Sequence, residues 1–122
     1  IEQFALLKPI LGVCLGCQAL GLHFGADLYN LEEVQHGVQT TIQVVDSNFL
    51  YKNIGNDLEV GRYHSWALKL PNTSDLIPTA YDKKNVLMSF RHSTLPVFGI
   101  QFHPESIMTP SGMELIGNWI NS

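Results

Sequence analysis

The stretch that most constrains the fold is Gly12-Val13-Cys14-Leu15-Gly16-Cys17-Gln18-Ala19-Leu20-Gly21. An unbroken apolar run, Ile10-Leu11-Gly12-Val13, enters it after Pro9 and suits a strand buried on both faces, as in a parallel sheet. A helical pattern leaves it from Gly16 to about Phe24, with Gly25 placed as a C-terminal cap. Strand, sharp turn at Cys14 and helix therefore follow one another within about fifteen residues, the unit from which α/β sheets are built.

Both cysteines of the chain lie in this stretch, and their spacing admits several readings. A structural zinc site needs four ligands, yet there is no third cysteine, and the histidines at 23, 36, 64, 92 and 103 stand singly. A redox pair can open a helix after a strand, but it does not call for a glycine on each side of Cys14. The pattern Gly-x-Cys-x-Gly fits a nucleophile elbow, in which a strained residue is presented at the tip of the turn. Gly12 and Gly16 would leave room for that turn. The helix N-terminus would lower the thiol pKa, and the backbone N–H of Leu15 would face a developing oxyanion. A buried structural cysteine beside a packing glycine remains the plain alternative.

A thiol nucleophile needs a base, which can lie far away in sequence. His23 and His92 read as structural groups, and His36 and His64 stay open as site or interface residues. His103 stands apart because it ends the apolar run Val97-Phe98-Gly99-Ile100-Gln101-Phe102 and is followed by Pro104 and Glu105. Strand periodicity lets His103 and Glu105 point the same way, so that the carboxylate can hold the imidazole, while Pro104 ends the ladder.

Elsewhere the chain reads as strands. Alternation at 38–45 puts Val38, Thr40, Ile42 and Val44 on one face, and further strands are expected at 58–62, 76–81, 86–91 and 97–102. Residues 1–7 show helical spacing. A last helix is expected to open with Thr109 as N-cap and Pro110 in its first turn, burying Met113, Ile116 and Ile120. At 122 residues, 45% hydrophobic and 15% charged, the chain suits one globular domain. A net charge of −4 with no run of Lys or Arg argues against nucleic acid as a partner. No apolar stretch approaches the roughly 18 residues of a membrane span, which makes a cytoplasmic protein with no membrane partner the expectation.

Cys14 within Gly-Val-Cys-Leu-Gly-Cys-Gln, taken with Gly-Ile-Gln-Phe-His-Pro-Glu-Ser some ninety residues later, resembles the class I (triad) glutamine amidotransferases. Gly61-Arg62-Tyr63-His64-Ser65 and Ser106-Ile107-Met108-Thr109 resemble the branch that serves chorismate-aminating synthases, in tryptophan (anthranilate) or folate (para-aminobenzoate, by way of aminodeoxychorismate) synthesis. The resemblance implies a flavodoxin-like, doubly wound α/β fold with a mixed sheet flanked by helices. It implies that residues 1–122 are the C-terminal two-thirds of a single amidotransferase domain whose first strands and a second oxyanion donor precede this point.

It further implies L-glutamine as substrate, Cys14 as nucleophile, and His103 and Glu105 as its partners. Leu15 would supply an oxyanion N–H, and Gln18, Ser65 and Trp66 would contact glutamine. His36 and Gly37 would lie near the synthase partner, and neither cofactor nor metal would be required. The chain departs from the family at Cys17, where histidine is common, at Val38 in place of lysine, and at Trp66 in place of leucine. An inactive, truncated interaction module is the rival expectation.

Overall fold

The computed structural model describes residues 8–46, 49–72 and 74–121. The segment 1–7, expected to be helical, lies outside them. Strand β1 (Ile10–Val13) leads into helix α1 (Leu15–His23), followed by β2 (Asp27–Val44), a 3-10 turn (Phe49–Tyr51), β3 (Asp57–Lys69), β4 (Leu76–Asp82), β5 (Leu87–His92), β6 (Val97–Ile100) and helix α2 (Gly112–Ile120).

These strands form one mixed sheet in the order β1-β6-β5-β4-β2-β3. The β1–β6 pair is parallel, with Ile10 opposite Val97 and Val13 opposite Ile100, and the other pairings are antiparallel. Two apolar clusters hold the layers together. One gathers Cys17 and Leu20 of α1 with Leu68, Leu87, Phe90 and Val97, and the other joins Leu115 of α2 to Ile42, Val60, Met88, Ile100 and Phe102. One helix thus packs into each cluster, the layered arrangement of an α/β protein.

Several elements differ from the sequence expectation. The strand expected at 38–45 begins at Asp27, and that at 58–62 runs on to Lys69, because the two pair along most of their length as a long hairpin. The register of this hairpin shifts between Asn30/Gln35 and His36/Val38, where Gly37 takes φ +65°. Such irregularity hides the two-residue period that strand recognition depends on. The strand expected at 97–102 stops at Ile100.

The last helix is N-capped by Ser111, not Thr109, because the Thr109 hydroxyl is already taken by Gly61 and His103. Its buried stripe also differs, with Gly112 and Leu115 facing inward while Met113 and Ile120 stand exposed. Gly112 sets this rotation, since a Cβ there would lie 1.7 Å from the Pro104 carbonyl oxygen. Only glycine lets the helix approach so closely. Among the described residues, no helix is long and apolar enough to cross a membrane.

Candidate active site

The elbow forms as expected. Cys14 sits between β1 and α1 at φ 54° and ψ −104°, a backbone conformation that costs an L-residue about 1–3 kcal/mol. Two backbone bonds hold it there: Cys14 N–H donates to the Ile100 carbonyl at 2.8 Å, and Gln18 N–H donates to the Cys14 carbonyl at 3.1 Å. The two glycines are not equivalent. A Cβ on Gly12 would lie 2.7 Å from the backbone of Gly16, whereas a Cβ on Gly16 would meet nothing within 4 Å. The expectation that both make room is corrected, and Gly12 alone is sterically required.

His103 reaches the same place from the far end of the chain. It follows β6, the strand paired with β1, and its backbone N–H donates to the Gly61 carbonyl at 3.0 Å, bridging to β3. The curled sheet therefore brings β3 over the elbow. The His103 Nδ1 contacts Glu105 Oε1 at 2.5 Å, so the carboxylate holds the ring by that nitrogen and not by Nε2. The Tyr63 ring meets the His103 ring edge-on, with centroids 5.2 Å apart.

A cavity of about 580 Å³ unites these groups, and its walls include Cys14, Leu15, Gln18, Ser65, Trp66 and His103. His36 is among its lining residues, and Gly37 follows at the register shift within β2. Cys14, Leu15, Gln18, His36, Ser65, Trp66 and His103 thus line one cleft, of a size suited to a small molecule, while Glu105 joins it only through its contact with His103.

The thiol itself departs from expectation. Burial pushes the Cys14 pKa up, and the negative charge of Glu105 adds to this, while the Leu15 N–H and the Gln101 side chain act in the opposite direction. The helix terminus therefore offsets part of a desolvation cost and does not produce a depressed pKa. In the resting state the thiol donates to the Tyr63 carbonyl at 3.7 Å. Cys17 is 2% exposed, packs in the α1 cluster and has a pKa raised by burial. Both cysteines are free.

Sequence reasoning missed a buried polar chain behind the cavity. Asp82 accepts from Arg62 Nη1 at 2.7 Å, and Arg62 Nε donates to His64 Nε2 at 3.0 Å. Arginine can only donate, so His64 Nε2 accepts and Nδ1 bears the proton, which is directed at the Trp66 carbonyl 2.9 Å away. Burial lowers the His64 pKa, in keeping with this neutral tautomer. Gln18 Nε2 donates to the same carbonyl at 2.9 Å and also toward Gln101 Oε1 at 3.1 Å. Both of these bonds are made by the Gln18 amide nitrogen, while the side chain lines the cavity. Asp82, the last residue of β4, carries no local signal of this role. Arg62 and Tyr63 lie in Gly61-Arg62-Tyr63-His64-Ser65, where nothing local points to the ion pair with Asp82 or the ring contact with His103.

An α/β sheet that brings a cysteine elbow and a histidine–carboxylate pair to one cleft has the arrangement of groups that thiol-based acyl transfer calls for. More particularly, the chain belongs to the class-I glutamine amidotransferase family, whose model matches residues 1–122. It is 41% identical over 124 residues to the aminodeoxychorismate/anthranilate synthase component 2 of Bacillus subtilis, covering 100% of this chain and 63% of that protein. It is 40% identical over 126 residues to anthranilate synthase component 2 of Pseudomonas putida, covering 98% of this chain and 63% of that one. Its fold matches the crystal structure of a glutamine amidotransferase from Thermotoga maritima with a TM-score of 0.76 at 24% identity, over 98% of this chain and 49% of the other. The chain thus spans about 63% of the length of these curated relatives.

Proposed function

We propose that the protein hydrolyses L-glutamine to glutamate and ammonia and passes the ammonia to a synthase that aminates chorismate. The observation that supports this most directly is the convergence of Cys14 with the His103–Glu105 pair on one cleft. His103 Nε2 takes the thiol proton, and the sulfur attacks the side-chain amide carbon of glutamine. The Leu15 N–H receives the oxyanion. Collapse of the tetrahedral adduct returns the proton to the departing ammonia and leaves a γ-glutamyl thioester, which a water activated by His103 then cleaves.

Gln18 and the Ser65–Trp66 segment receive the amino-acid end of the substrate. His36 and Gly37 face the partner. No step calls on a metal or organic cofactor. The chain is the larger part of one amidotransferase domain, a reading supported by a family match along its whole length. Relatives named for anthranilate and for aminodeoxychorismate synthesis are similarly close, and we place the protein first in the anthranilate reaction, with aminodeoxychorismate as the second reading. The test is to capture the full-length protein with its synthase, supply glutamine and chorismate, and identify the product. Absence of both anthranilate and aminodeoxychorismate, with no labelling of Cys14 by a glutamine-analogue electrophile, would favour a non-catalytic interaction module.

A further inference from the structure

We infer that Gln101 is a further catalytic group, an amide donor aimed at the Cys14 sulfur whose direction is dictated from the glutamine pocket. Gln101 Nε2 lies 3.6 Å from Cys14 Sγ, within reach of a hydrogen bond to sulfur. The side chain is 1% exposed, so both ends of its amide must find partners inside the protein.

The orientation follows from one atom, the Trp66 carbonyl oxygen. A carbonyl can only accept, so the Gln18 amide must turn its NH₂ toward it. The same NH₂ then faces Gln101, which must answer with its oxygen. That choice leaves the Gln101 NH₂ directed at the sulfur. Reversing the Gln101 amide would set two NH₂ groups against each other, and reversing Gln18 as well would set two carbonyls against each other at Trp66. The His64 N–H on the same carbonyl, braced by Arg62 and Asp82, keeps the Trp66 peptide in place.

The chain of amides gives Gln101 a use during the reaction. When the thiol proton leaves for His103, the Tyr63 carbonyl that accepted it turns repulsive toward the thiolate, while the Gln101 N–H becomes a charge-assisted donor. Gln18 forms the cavity wall at the other end of the relay. A substrate that engages Gln18 therefore firms the orientation of the donor on the nucleophile.

This inference rests on the reading of Cys14 as the nucleophile, and the experiment separates the two. In the full-length protein, the pH dependence of Cys14 alkylation by iodoacetamide is measured, with the label located by mass spectrometry, for the native protein, Gln101→Met and Gln101→Glu. Methionine removes the donor at similar volume, and glutamate keeps an acceptor for Gln18. The other ionisable groups around the sulfur, His103 and His64 across the cavity, Glu105 beyond His103 and Cys17 on α1, are common to all three proteins. The expected result is an alkylation midpoint higher by about one pH unit in Gln101→Met, equal to a tenfold smaller thiolate fraction near neutrality, and higher still in Gln101→Glu. kcat for glutamine should fall by about the same factor, with KM changed less. An unchanged midpoint in both variants, with native-like circular dichroism, overturns the role of Gln101 even if a glutamine-analogue electrophile labels Cys14. Failure of that electrophile to label the native protein overturns the nucleophile itself.

Discussion

The Thr109 hydroxyl donates to the carbonyl of His103 at 2.7 Å and accepts the N–H of Gly61 at 2.8 Å. One buried hydroxyl therefore braces both sides of the β-bridge that brings His103 over the elbow. Thr109→Val keeps the shape but leaves the Gly61 N–H without this acceptor, and it should cost about 1–3 kcal/mol in urea unfolding. Glutamine turnover should fall with it, and Thr109→Ser should restore most of both. Equal stability of the valine variant and the native protein would show that the bridge does not depend on this hydroxyl.

The two cysteines should separate cleanly. Cys14→Ala should abolish glutamine hydrolysis by the intact protein. Cys17→Ala should retain most of it, at a packing cost of about 1 kcal/mol. An assay of released glutamate decides the matter, and complete loss from Cys17→Ala alone would sink the single-nucleophile reading.

The glycines of the elbow offer a steric contrast. Gly12→Ala forces a Cβ against the Gly16 backbone, so thermal stability and turnover should both drop sharply. Gly16→Ala enters open space within α1 and should be neutral or stabilising by about 0.5–1 kcal/mol, the ordinary advantage of alanine over glycine in a helix. Calorimetry of the pair distinguishes a turn that needs one small residue from one that needs two.

Burial, the first of the causes acting on His64, lowers its pKa below the usual histidine value. The folded protein keeps this ring neutral at a pH where the unfolded chain already takes up a proton. Stability from His64 is therefore fully present above about pH 6.5 and is lost as the pH falls below it. Urea midpoints measured from pH 7.5 down to 5 should decline for the native protein and decline less for His64→Gln. Parallel curves for the two proteins would assign the acid sensitivity to other groups.

What could be read from the sequence was local in origin. The elbow lies within a few residues, and His103 and Glu105 are two apart; their pairing is as expected, although they meet in a turn beyond β6 and not through the alternation of a strand. Thr109 and Gly61 behaved otherwise. Threonine before proline is an ordinary helix opening, and nothing near it discloses a bond to a glycine on another strand. The relay from Asp82 through Arg62 and His64 to Trp66, Gln18 and Gln101 depends on the curl of the sheet, which local periodicity does not encode. The thiol pKa departs from the expectation for a related reason. The helix terminus is visible in the sequence, but the depth at which the sulfur is buried is set by distant strands.

The bridge between Gly61 and His103 also bears on how the protein comes to life on the ribosome. Cys14 is made some ninety residues before His103, whose place is fixed only when the sheet has curled onto β3. Pairings of such long range form late in folding, after the entropy of a large loop has been overcome. A growing or partly folded chain therefore holds its sulfur apart from the imidazole, and the two meet only as the fold closes.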